Sequence, residues 1–167
     1  LKKSFTIANF YDIENTIILP LNGKLRYGKN KRKLEKNSAL FISSHSTESL
    51  SFGSSRAKTF AYEDFIDEKS EYIFDNSDSN SKSTCESFLI VCVDVKAYDL
   101  INIFHSKYVD VSVFYDSPIL SILKLIENEL RNKPLGYKKV ISLMSDRLIY
   151  EIMRSLIASQ PLFSGVE

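Results

Sequence analysis

The sequence predicts an α+β protein in which an antiparallel β-barrel or sandwich is followed by two to three C-terminal helices. Three observations carry this. The first half breaks into short runs, partly alternating apolar and polar with a period of two, punctuated by turn-forming pairs. A stretch near 75–84, DNSDSNSKST, holds no apolar side chain and reads as a mobile loop. From Ser117 onward the apolar residues recur at helical spacing.

The elements follow in order. In ENTIILPLNGKLRYG an apolar run leads to Pro20, and Asn22-Gly23 is a strong hairpin signal. Leu25 and Tyr27 then alternate with Lys24 and Arg26, as in a half-buried strand. Gly28 and KNKRK predict a second turn, Leu34 opens a third strand, Asn37-Ser38 turns again, and ALFISS and SLSFG are further strands. TFAYEDFIDEKSEYIF is aromatic and acidic and reads as a strand with a short lid. CESFLIVCVDV predicts a buried strand, with Cys92 as a small core residue. DVKAYDLINIF suits a short helix capped by Asp94, and KYVDVSVFY an extended segment.

Ser117-Pro118 pairs an N-cap with proline at the first helical position. Ile119, Leu123, Ile126 and Leu130 stripe the helix that follows, which ends before NKPLG. A longer helix is predicted over 137–159. Tyr137, Val140, Ile141, Met144, Leu148, Ile152 and Leu156 form its stripe, widened by Leu143, Ile149, Met153 and Ile157. This arc exceeds what one packing surface needs, so it predicts either packing on both sides within the monomer or a partner subunit. Residues 1–95 are thus expected to be the β part and 96–167 the helical part of one combined domain.

Composition narrows the function. The 167 residues are 44% hydrophobic, enough for a sizeable core. Lys and Arg total 22 against 21 Asp and Glu, a net charge of +1, which argues against a domain held to nucleic acid mainly through phosphates. Locally, Lys24, Arg26, Lys29, Lys31, Arg32, Lys33 and Lys36 crowd around one acid, Glu35. The favoured reading is a solvated hairpin tip, with a DNA-touching patch as the alternative. Cys85 and Cys92 are too few for a disulfide framework and lack CxxC spacing, which points to the cytoplasm. No apolar stretch is long enough for a membrane span and no signal peptide opens the chain. The absence of an initiating Met and the end SQPLFSGVE lead us to expect a piece of a longer protein.

No GxGxxG, P-loop, GxSxG or HExxH motif is present. His45 and His105 are the only histidines, which supports neither a metal site nor a Cys-His nucleophile, and no cofactor is expected. What remains is architecture, and small barrels bind ligands at their mouths.

The order IILPLNGKLRYG, LEKNSALFISSHSTESLSFG, CESFLIVCVDVKAYDLINIF and SPILSILKLIENELRNKPLGYKKVISLMSDRLIYEIMRSLI resembles the cupin-like N-terminal domain of AraC/XylS-type bacterial transcription regulators. In that family a strand and G-x-L hairpin precede a GDLxLLPxGxxH strand, a variable loop, a strand with a short helix, and two helices, the last often RLxxLLxxxxLR. Here NSALFISSHSTES occupies the GDL strand and DRLIYEIMRSLI the last helix. The usual Gly-Asp turn is Asn37-Ser38, and the histidine that closes the strand falls near Glu48, with His45 three residues earlier. The two-His-plus-acid cluster of enzymatic cupins cannot be assembled, because the first strand region holds no His.

The resemblance implies a non-enzymatic regulatory domain that senses a small effector or partner protein and forms a homodimer, with DNA contacted only by a separate C-terminal helix-turn-helix domain. Pocket candidates are Leu19, Leu25, Tyr27, Phe41, His45 and Glu48, each with core packing or a surface turn as the plainer role. Dimerisation candidates are Leu148, Ile149, Ile152, Met153 and Leu156. A filled barrel serving only protein contacts, and a metal-dependent cupin enzyme, are the competing readings.

Overall fold

The structure, a computed structural model, describes residues 1–11, 13–54, 56–74, 85–93 and 110–158. The strands are β1 (Phe5–Ile7), β2 (Thr16–Asn22), β3 (Leu25–Tyr27), β4 (Arg32–Lys33), β5 (Ser38–Ile42), β6 (Leu50–Phe52), β7 (Lys58–Phe60), β8 (Ser87–Cys92) and β9 (Val111–Tyr115). The helices are α1 (Tyr62–Tyr72), α2 (Pro118–Asn132) and α3 (Tyr137–Ala158). One sheet runs β4-β3-β6-β1-β7 and the other β8-β2-β5-β9. All neighbours pair antiparallel except β1 and β7, which are parallel. The class is therefore α+β as expected. Among the described residues neither sheet closes on itself, so the molecule is two open sheets and not a barrel.

The β8-β2-β5-β9 sheet is covered on both faces. Ile17 and Leu19 of β2 and Ala39 and Phe41 of β5 share a core with Ile119, Ile122, Leu123 and Ile126 of α2 and Leu148, Ile152 and Leu156 of α3. The intervening Ile18, Leu40 and Ile42 pack instead with Leu25, Leu50 and Phe52 of the other sheet. Alternation sends neighbouring side chains to opposite faces, and both faces are apolar, so β5 is buried along its whole length. This is why TIIL and ALFI read as continuous apolar runs.

Asn22-Gly23 does not close a hairpin. β2 is already paired on both edges, by β5 and β8, and offers none to β3, which pairs with β4 and β6. The turn carries the chain from one sheet to the other. Gly23 is tightly placed there, because a Cβ would lie 2.8 Å from the Phe88 ring. The hairpin that does form is β3–β4, around Gly28 (φ +80°) and Lys31 (φ +49°).

Two further expectations need correcting. TFAYEDFIDEKSEYIF is a short strand and a helix, not a strand with a lid. Glu63 and Asp64 in the first turn of α1 favour the positive end of the helix dipole, and Phe65 and Tyr72 are its buried residues. Phe65 stacks on Phe5 with centroids 4.3 Å apart, and Tyr72 meets Phe60 at 5.1 Å, which fixes α1 against β1 and β7. Secondly, among the described residues β8 is an edge strand, with Ile90 49% exposed and Cys92 exposed rather than in the core. An apolar run does not distinguish a central strand from an edge.

The helical pair follows the sequence closely. Ser117 Oγ accepts a hydrogen bond from Ile119 N at 3.2 Å, and Lys133 takes the left-handed C-cap position. Leu130 is exposed, so cover stops a turn short of the end of α2. β9, from the second half of the chain, pairs with β5, so a strand from beyond residue 95 completes the covered sheet. The loop expected at 75–84 and the helix expected from Asp94 lie outside the described residues.

Phe41 is wholly buried in the face shared with the helices, so Phe41→Ala is expected to cost about 3–5 kcal/mol of unfolding free energy in urea titration. Tyr115→Ala, at a side chain 68% exposed, is expected to change it by no more than about 0.5 kcal/mol. Equal effects would show that this face is not packed as described.

Candidate functional site

The space between the two sheets is filled. Leu25, Leu50, Ile18, Leu40 and Ile42 are essentially inaccessible to solvent there. Among the described residues an open depression of about 440 Å³ lies at the end of the sheets, where the β3–β4 turn, the segment before β6 and the start of β9 meet. Its apolar lining is Tyr27 and Val111, both packed against the core between the sheets. Its charged lining is Lys29 and Arg32 from the hairpin, Glu48, and Asp110.

Backbone contacts hold these segments together. Gly28 N donates to Ser49 O at 3.0 Å and Ser49 Oγ donates back to Gly28 O at 3.2 Å. Lys31 N donates to Gly28 O at 3.0 Å, closing the turn. On the other side Ser46 N donates to Ser43 O, Glu48 N donates to Ser46 Oγ, and Ser43 N donates to Asp110 O at 2.9 Å. Gly28 answers two demands at once. Its φ of +80° is unfavourable for an L side chain, and a Cβ would sit 3.3 Å from Glu48 Oε2.

Glu48 is the unusual member. Its Oε2 is shielded from solvent and has no hydrogen-bond partner among the described residues. A carboxylate oxygen in that position carries a desolvation cost that a donor would relieve. Among the described residues Lys29, Arg32, Glu48 and Asp110 make no ion pair, whereas Lys58 pairs with Glu68, and Arg147 and Arg154 pair with Glu151.

The sequence-predicted pocket residues are thus divided. Tyr27 and Glu48 meet in the depression. Leu19 and Phe41 lie in the core beneath the helices, and Leu25 in the core between the sheets. His45 is exposed on the turn after β5 and does not line the depression. Lys29 and Arg32 belong to the basic run, which reads in the sequence as a solvated tip, with a DNA-touching patch as the alternative. Asp110 and Val111 lie in the segment that reads as extended, but nothing local marks them as site residues, because only the pairing of β9 with β5 brings them near residue 48.

The dimerisation candidates Leu148, Ile152, Met153 and Leu156 are buried against the sheet and α2, with Ile149 partly so. In this structure their stripe packs within the monomer. The large apolar residues left exposed on α3 are Leu143 and Tyr150, seven positions apart on one helix face. No group of three or more His, Cys, Asp or Glu that could hold a metal occurs among the described residues, and none of their helices is long and apolar enough to cross a membrane. Comparison of the chain with family models, curated proteins and solved structures found no match.

Gly28→Ala is expected to cost about 1–2 kcal/mol in urea unfolding, from its left-handed backbone and the contact with Glu48. A neutral effect would mean the turn relaxes freely. The Cys92 thiol pKa is raised, first by partial burial and then by the neighbouring Glu14, with Thr16 pulling it slightly back. Its alkylation by iodoacetamide should therefore require a higher pH in the folded chain than in the chain unfolded in urea. The folded state holds this proton more tightly, so the linked stability falls as pH rises past the unfolded thiol pKa. Identical pH profiles in both states would remove the effect.

Proposed function

We propose that this chain is a regulatory domain similar to the cupin-like N-terminal domain of AraC/XylS-type transcription regulators. It senses a small effector at the mouth between its sheets and passes the change to its helical pair, which serves dimerisation. The specific recognition of DNA is assigned to a separate helix-turn-helix domain. The observation that carries this reading is the shared wall. The sheet whose inner face meets the sheet beside the depression has α2 and α3 packed on its outer face. A ligand acts on such an arrangement only through different affinity for two conformations, and here the two regions that must differ are joined by one sheet.

The filled space between the sheets favours a second reading, a domain for protein contacts with no effector. The two readings separate experimentally. Under the first, a metabolite screen by thermal shift finds a compound that raises the midpoint, since binding to the native state alone stabilises it. Under the second, the screen is silent.

The homodimer is assigned to the exposed face of α3, in place of the buried stripe. Sedimentation should give a dimer for the unmodified chain and a monomer for Leu143→Glu, at an exposed position of this face. A monomer in both cases removes dimerisation from the proposal, and a dimer in both moves the interface off this face.

A further inference from the structure

We infer that the depression at the mouth of the sheets binds a small zwitterion of the amino-acid type, its ammonium group on Glu48 and its carboxylate on Arg32 and Lys29. This rests on the sensory reading above and names the class of effector.

The inference starts from unbalanced charge. Two cations and two carboxylates line one depression, and among the described residues none of the four is neutralised by an ion pair. The Glu48 Oε2 is shielded and unpartnered, so the carboxylate is short of donors, and an ammonium on the side of the carboxylate that faces the depression supplies the opposite charge it lacks. A polyanion such as a nucleotide meets Glu48 and Asp110 as like charges, and a simple cation meets Lys29 and Arg32. Only a ligand bearing both signs is attracted by both halves of the lining.

Size and apolar content agree. At about 440 Å³ the depression falls in the lower part of the range of small-molecule sites. Tyr27 and Val111 supply an aromatic and an aliphatic surface for a side chain, and a ring in such a site also favours a cationic head group. The guanidinium of Arg32 suits a carboxylate geometrically, as a planar fork. The backbone bonds from Gly28 to Ser49 and from Ser43 to Asp110 hold together the segments that carry the opposing charges.

The test is a thermal-shift titration of the chain with each proteinogenic amino acid, compared with its N-acetyl derivative and its amide. At least one free amino acid is expected to raise the midpoint, and its two derivatives, lacking the ammonium or the carboxylate, to raise it far less. By calorimetry Glu48→Gln and Arg32→Gln should each weaken that binding about tenfold, the loss of one charge-assisted contact. Gln is isosteric with Glu, and Arg32 is exposed, so both variants keep the fold. Lys36→Gln, exposed in the same basic run but outside the depression, should leave affinity unchanged. Equal binding of either derivative, or undiminished affinity in both Glu48→Gln and Arg32→Gln, overturns the inference. A shift from a sugar, nucleotide or fatty acid and from no amino acid overturns the ligand class while leaving the sensory reading standing. A shift from none of these compounds overturns both.

Discussion

The architecture depends on a single wall, the β8-β2-β5-β9 sheet, being apolar on both faces. A sheet with one solvated face needs one layer of cover, whereas this one needs two. The second sheet supplies one through Leu25, Leu50 and Phe52, and α2 with α3 supplies the other. Each fully buried Ile, Leu or Phe contributes about 1.5–3 kcal/mol of transfer free energy, so neither layer can lift away without exposing a row of such residues. The helices are therefore part of the β domain's core and not an appendage to it. That also accounts for the fate of the α3 stripe, since the sheet already occupies the face that reads as a partner surface.

What was legible in the sequence follows from how local each signal is. The start of α2 needs only Ser117 and Pro118, whose chemistry is complete within one turn, and it was read correctly. The β3–β4 turn is announced by Gly28 within a basic run. The destination of β3 is not local. Asn22-Gly23 has the composition of a hairpin, but whether it joins neighbours depends on which edges of β2 are free, and β5 and β8 have taken both. β1 has three residues, too few for a period, and its parallel partner β7 lies some fifty positions away. α1 carries two buried residues on a strongly acidic background, so its apolar pattern is faint and its helical state reflects charge placement and the aromatic contacts of Phe65 and Tyr72.

The depression was half legible for the same reason. Tyr27 was legible because it lies at the end of an alternating strand, and Glu48 because the resemblance puts the strand-closing histidine near it. Leu19 and Phe41 were equally good candidates under a barrel, where one face of the sheet encloses a cavity. With two open sheets and a helical layer, alternation sends Leu19 and Phe41 to the helices and leaves Leu25 in the filled space between the sheets. Lys29 and Arg32 read as solvated because a single sequence shows their charge without showing Glu48 and Asp110 beside them.

The position of β9 then acquires meaning. Its first residue, Val111, lines the depression, and its last, Tyr115, is followed by Asp116 in the left-handed region and by the Ser117 cap of α2. Five extended residues, about 16 Å, separate the mouth from the start of the helical pair. Among the described residues β9 is an edge strand, paired with β5 on one side. A ligand that draws Asp110 and Val111 toward Glu48 works against one ladder of hydrogen bonds, whereas the same displacement of β2 or β5 would break two. Of the two edge strands of this doubly covered sheet, β8 and β9, only β9 joins the charged depression to α2, and a sensory domain with this wall at its centre would transmit through it.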